Sequence, residues 1–201
     1  MVELLAGAYP DARCELDYRN PWELLVATVL SAQCTDQRVN QVTPELFRRW
    51  PTPAAMAVAP LAELEETVRP TGFFRNKARA VRDAARILVS RFGGELPQEL
   101  EALVELPGVG RKTAKVVLGE AFGIAAGIAV DTHVRRVAGR LGLTRSTDPE
   151  TIAGELERLV PRPSWVAFSM RMILHGRRVC VARRPRCADC PLEPACAKVG
   201  V

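Results

Sequence analysis

Leu106-Pro107-Gly108-Val109-Gly110-Arg111-Lys112-Thr113 is the stretch on which the fold turns. The ring of Pro107 crowds the residue before it out of the α conformation, so a helix over 98–105 stops there. Gly108 and Gly110 permit the positive backbone dihedrals and close approach of a tight hairpin. A second helix, expected over 111–121, then starts with backbone N–H groups that have no partner inside the helix, a setting that suits a phosphate. An ordinary helix corner has the same spacing. Nucleotide-binding loops do not fit. A Walker loop places Gly directly before its Lys, whereas Arg111 precedes Lys112, and no apolar strand feeds the turn.

Helical periodicity continues on both sides of the hairpin. Asn20-Pro21-Trp22-Glu23 carries an N-cap Asn, Pro in the first turn and Glu at the third position, ahead of the apolar face Leu24, Leu25, Val26, Val29 and Leu30. A helix is expected from Thr35 towards Trp50. Another runs over 75–92, with Ala78, Val81, Ala85, Leu88 and Val89 on its apolar stripe and Gly93-Gly94 as its stop. Further helices fit 131–141, 148–160 and 164–178. No strand series, repeat or low-complexity linker interrupts them. The expected fold is all-α, in two helical lobes that meet at a cleft.

Lys112 attracts attention on chemical grounds. An ammonium has no lone pair, so an amine that attacks carbon must first lose its proton. The positive end of a helix and the neighbouring cations Arg111 and Lys115 both favour the neutral form. That chemistry suits attack on C1′ of a deoxyribose, although a lysine in this place can equally salt-bridge a phosphate. Asp131, in Ala129-Val130-Asp131-Thr132-His133, reads first as an N-cap. Facing Lys112, it would also help deprotonate the amine and stabilise positive charge on the sugar. His133 and His175 are the only histidines, and both read as structural.

Cys180, Cys187, Cys190 and Cys196 fall within 17 residues, among Pro185, Pro191 and Pro194, so they belong to a wrapped loop. Four thiolates converging from one short segment can hold a tetrahedral zinc ion or an iron–sulfur cluster, and spacing does not choose between them. Disulfides fit less well, because the chain carries neither a secretory leader nor the small core that needs staples. Cys34 reads as a small buried residue, and Cys14 has no evident role. Charge points the same way as the cysteines. Residues 171–201 hold seven Lys/Arg against two acids, and the other 170 residues balance at 21 of each, so the whole excess of +5 sits at the C-terminal end. Such a patch attracts polyanions, nucleic acid above all. No apolar run has transmembrane length, since Val116 to Val130 is broken by Glu120 and glycines. A cytoplasmic protein follows, nucleoid-associated in a bacterium.

Together, LLVATVLSAQCTD at 24–36, LPGVGRKTA at 106–114, VDTH at 130–133, LHGR at 174–177 and the four-cysteine loop resemble the endonuclease III family of helix–hairpin–helix DNA glycosylases. The resemblance spans nearly the whole chain. It implies a helix–hairpin–helix at about 98–121 inside a six-helix barrel over 16–127, and a second domain from 1–15 plus 128–201 carrying a 4Fe–4S cluster on Cys180, Cys187, Cys190 and Cys196. It implies Lys112 and Asp131 as the catalytic pair between the lobes, and a damaged base flipped from the duplex. Gln33 matches the residue that fills the vacated space. Phe73 falls where the family usually has a leucine wedge, a departure in this chain. Gly108, Gly110 and Arg111 of the hairpin, with Arg177, Arg184 and Arg186, are the expected phosphate contacts.

The implied reaction is excision of an oxidised pyrimidine by a monomer acting on damaged or abasic duplex DNA, followed by strand cleavage through a lysine Schiff base and β-elimination. Two rivals are a monofunctional mismatch glycosylase of the same fold and a non-catalytic DNA-binding protein. The first generally lacks a lysine at the position of Lys112. The second leaves the pairing of Lys112 with Asp131 without a purpose.

Overall fold

The computed structural model describes residues 1–201 and is helical throughout. In chain order the helices are α1 (Val2–Ala8), α2 (Pro21–Leu30), α3 (Asp36–Arg49), α4 (Pro53–Ala57), α5 (Leu61–Val68), α6 (Phe74–Phe92), α7 (Leu100–Val104), α8 (Arg111–Phe122), α9 (Thr132–Leu141), α10 (Pro149–Leu159) and α11 (Trp165–Arg178). The chain divides into two compact units. One is Glu15–Ile124; the other joins Met1–Cys14 to Ala125–Val201. No helix is long and apolar enough to cross a membrane.

In the first unit α2 is the central rod, buried at every position from Trp22 to Leu30. A helix apolar on all sides must be enclosed, and α8, α3 and α6 pack against it. Each fully buried leucine contributes about 1.5–3 kcal/mol relative to exposure, and Leu24, Leu25 and Leu30 are all within 1% of complete burial. The start of α2 is fixed as its sequence demands: Asn20 accepts from the Glu23 amide at 3.0 Å, and the Glu23 carboxylate accepts from the Arg19 amide at 2.9 Å. The α6 helix ends on Gly93, which takes a left-handed conformation (φ 63), while the Gly94 amide reaches back to Leu88.

In the second unit α11 lies against α9, and α1 packs on α11 through the fully buried Leu5. Asp148 caps α10 by accepting from the Thr151 amide at 2.8 Å. Close approach of α9 and α11 depends on Gly176, where no side chain stands between the two helices.

Two expectations need correction, and the stretch 51–71, for which no helix was expected, forms α4, α5 and a 3₁₀ turn at Arg69–Thr71. These elements are too short for a periodic stripe to register and are held by packing on α6. Val89, placed on the apolar stripe of α6, is 41% exposed. Cys34 is half-buried, because α2 ends at Leu30 and Cys34 lies in the turn beyond it.

Candidate active site and cysteine loop

Between α7 and α8 the Val109 amide donates to Leu106 O at 3.0 Å, closing a turn whose two apolar residues, Leu106 and Val109, are both buried. Gly108 has φ 80, and a Cβ there would lie 3.0 Å from Ala80 Cβ and 3.3 Å from Val29 Cγ1. Both the backbone sign and the space demand glycine. Gly110 differs from expectation: its φ is −86, so its contribution is the absence of a side chain at the N-cap of α8. No side chain caps that helix. Lys112 is exposed on its first turn, and Arg111 pairs with Glu101 at 3.1 Å. Both partners of that pair are largely solvated, so the pair contributes little.

The hairpin shares a recess with two other expected site residues. Gln33, Phe73 and Gly108, together with Lys77, border about 610 Å³ of space open to solvent. Gln33 (φ 53) and Phe73 (φ 48) both occupy the left-handed region, which is costly for side chains of this size. Phe73 is also 63% exposed. A large aromatic held in a strained, outward position is unusual unless something other than solvent receives it.

Asp131 belongs to the second unit. The segment before it is tied down by the Ile128 amide donating to Glu157 at 2.8 Å and the Ala129 amide donating to Ser169 at 3.1 Å. Asp131 is the N-cap of α9, and its Oδ1 accepts from both His133 and Val134 amides at 2.8 Å. Both cap bonds fall on one oxygen, so capping orients the carboxylate without using Oδ2. The capping and catalytic readings of this residue are therefore compatible.

The cysteine loop wraps from the end of α11 back onto α9. Cys180, Cys187, Cys190 and Cys196 line one recess together with Leu192, which is fully buried. Two arginines one turn apart on α9 hold the loop. Arg136 donates to Cys180 O (3.0 Å) and Gly176 O (2.9 Å). Arg140 donates to Val181 O (2.7 Å), Ala182 O (3.0 Å) and Cys180 Sγ (3.4 Å). The Val199 amide returns to Arg140 O at 3.1 Å. His175, almost wholly buried, shares a hydrogen bond with the Tyr9 hydroxyl at Nδ1 (3.0 Å) and places Nε2 3.6 Å from Cys190 Sγ. Burial pushes this imidazole below its ordinary value, and one neutral tautomer satisfies both contacts.

Four thiols lining one recess suit a cationic centre. Burial, with the neighbouring Cys180, Cys196 and Cys187, pushes the Cys190 thiol up, a penalty that positive charge among the four sulfurs would reverse. N–H donors already point at sulfur from Arg140 and, at 3.4 Å, from the Lys198 amide on Cys196. Arg177, Arg184 and Arg186 are exposed around the loop, Arg184 with φ 56.

Sequence reasoning missed Lys77, Arg136, Arg140 and the contact of His175 with Cys190. A signal existed for Lys77, a lone charge on the apolar stripe with Val81, Ala84 and Leu88. The arginines of α9 carried none, since their partners are backbone carbonyls distant in sequence.

Known proteins resemble this chain in sequence and in fold. The family model described as HhH-GPD superfamily base excision DNA repair protein matches residues 26–162. The endonuclease III of Synechocystis sp. is 55% identical over 193 residues, covering 96% of this chain and 88% of the relative. Two solved structures at 46% identity, a non-covalent endonuclease III–DNA complex and a trapped endonuclease III–DNA covalent intermediate, each superpose with a TM-score of 0.93. Each match covers 98% of this chain and 92% of the other.

Proposed function

The chain belongs to the endonuclease III family, within the HhH-GPD superfamily of base excision DNA repair proteins, and from that premise we propose that it excises oxidised pyrimidines from duplex DNA and cleaves the resulting abasic site. The observation that carries this is Lys112, an exposed amine on the first turn of α8 directly after the glycine hairpin. A relative at 46% identity has been trapped covalently on DNA, which requires a nucleophile, and Lys112 has the chemistry for one.

In this reading the neutral Lys112 amine attacks C1′, and the C1′–N bond to the damaged base breaks with its electron pair leaving on the base. Asp131 stabilises the positive charge on the sugar and accepts the proton lost from the amine. Ring opening leaves an imine between Lys112 and C1′. Loss of a C2′ proton then expels the 3′ phosphate. Gln33 and Phe73 enter the duplex at the lesion. Gly108, Gly110 and Arg111 receive the phosphate backbone at the α8 N-terminus, and Arg177, Arg184 and Arg186 hold it from the cysteine loop.

Residues 16–127 would serve as the barrel domain and 1–15 plus 128–201 as the iron–sulfur domain, bounds that run close to those of the two compact units. Cys180, Cys187, Cys190 and Cys196 would hold a 4Fe–4S cluster, which supplies iron–thiolate bonds that fasten a segment with little apolar core of its own. The enzyme works as a monomer in the cytoplasm, where the DNA is.

The test is borohydride trapping on a duplex with one oxidised pyrimidine. Wild type should leave a covalent protein–DNA adduct and Lys112→Ala none, with strand cleavage down by at least about a hundredfold. An adduct of equal yield from Lys112→Ala would overturn the assignment.

A further inference from the structure

Lys77 is 5% exposed, deep for an ammonium group. Its Nζ donates to Leu30 O at 2.8 Å and to Thr71 O at 2.7 Å. Leu30 is the last residue of α2, and Thr71 the last of the 3₁₀ turn at Arg69–Thr71, so each carbonyl lies where a helix runs out of amide partners. Three residues beyond Leu30 stands Gln33, and two beyond Thr71 stands Phe73, both in the left-handed region. Burial lowers the Lys77 pKa against an opposing effect of Cys34, the residue after Gln33. A side chain this costly to bury is retained where an apolar one could not do its work. Only a group with several donors on one atom can tie two carbonyls from two different loops to a single point.

We infer that Lys77 is a positioning residue that fastens the Gln33 and Phe73 loops to a common point beside the hairpin, so that both side chains enter the duplex together. The inference rests on the function proposed above. Lys77 touches no reacting atom, and the chemistry at Lys112 does not need it. Gln33, Phe73, Lys77 and Gly108 border the same recess, so a shift of either loop changes the relation of both probes to the hairpin.

Two substrates separate this role from general support of the fold. A duplex with one oxidised pyrimidine has to be opened; an abasic site in a single strand does not. For Lys77→Met, kcat/KM on the duplex should fall about tenfold to a hundredfold, while trapping on the single-stranded abasic site stays within about twofold. A fluorescent adenine analogue opposite an abasic site in duplex DNA should brighten with wild type, as it unstacks, and not with the variant. Lys77→Gln, whose amide is neutral and one bond shorter, should fall between. Equal loss on both substrates, or unchanged duplex activity, would overturn the inference. Failure of both variants to fold, seen by melting, would make Lys77 a stability residue and overturn it as well. Wild type that traps neither substrate removes the proposed function and this inference with it. Wild type that traps both, beside variants that lose both in parallel, removes the inference alone.

Discussion

A Cβ on Gly176 would lie 2.8 Å from the Cβ of His133, closer than side-chain carbons pack. Val137 and Arg136 close the same space at 3.3 and 3.4 Å. The contact joins the last turn of α11 to the first turn of α9, so one glycine sets the spacing of both helices. Gly176→Ala should cost about 1–3 kcal/mol through overpacking, read as a melting temperature lower by several degrees. An unchanged melting curve would mean that α9 moves aside freely.

Asp131 caps α9 and is assigned to catalysis, and two substitutions separate those roles. Asparagine is as good a cap, so Asp131→Asn should melt within about 0.5 kcal/mol of wild type yet lose about a hundredfold or more in base release. Asp131→Ala should lose the activity and a further ~1 kcal/mol of stability. Thermal denaturation beside single-turnover kinetics distinguishes them, and an active Asp131→Asn enzyme would leave only the cap.

Phe73 pays for its exposed, left-handed position. Phe73→Gly relieves the backbone and should stabilise the fold by about 0.5–1 kcal/mol. The same change removes the side chain assigned to the duplex, so affinity for damaged duplex should drop. Denaturant unfolding and a binding titration must move in opposite directions; a variant weaker in both would show that Phe73 packs rather than probes.

Arg140 reaches the cysteine loop through two carbonyls and a sulfur. Arg140→Ala should weaken retention of the proposed cluster by about tenfold to a hundredfold, followed as faster loss of visible absorbance under a chelator. Duplex binding should decline with it. Retention equal to wild type would mean that the four thiolates alone hold the loop.

How much could be read beforehand varied with the range of the interaction. The long helices were visible because α2 opens on an N-cap and α6 and α8 end on glycine, signals that lie in or beside their own residues. Asp131 as a cap and Gly108 as a positive-φ glycine were visible for the same local reason. The elements α4 and α5 were not, since they hold their shape by packing on α6. Gly110 had the right residue for a different reason, as its φ is negative. Arg140 and Cys180 are 40 residues apart, and nothing near either one announces the other.

The second unit is assembled from the two ends of the chain. During synthesis Glu15–Ile124 leaves the ribosome as one uninterrupted stretch and can fold at once. The α1 helix, made before that stretch, must wait for α11, made after it. At about 5–20 residues per second that wait lasts roughly 3–11 s after Ile124 is added. Throughout it Leu5, which is fully buried in the finished protein, has nowhere to go. A nascent chain stalled before Ala125 would therefore hold a folded Glu15–Ile124 unit behind a loose apolar segment, a natural grip for a chaperone.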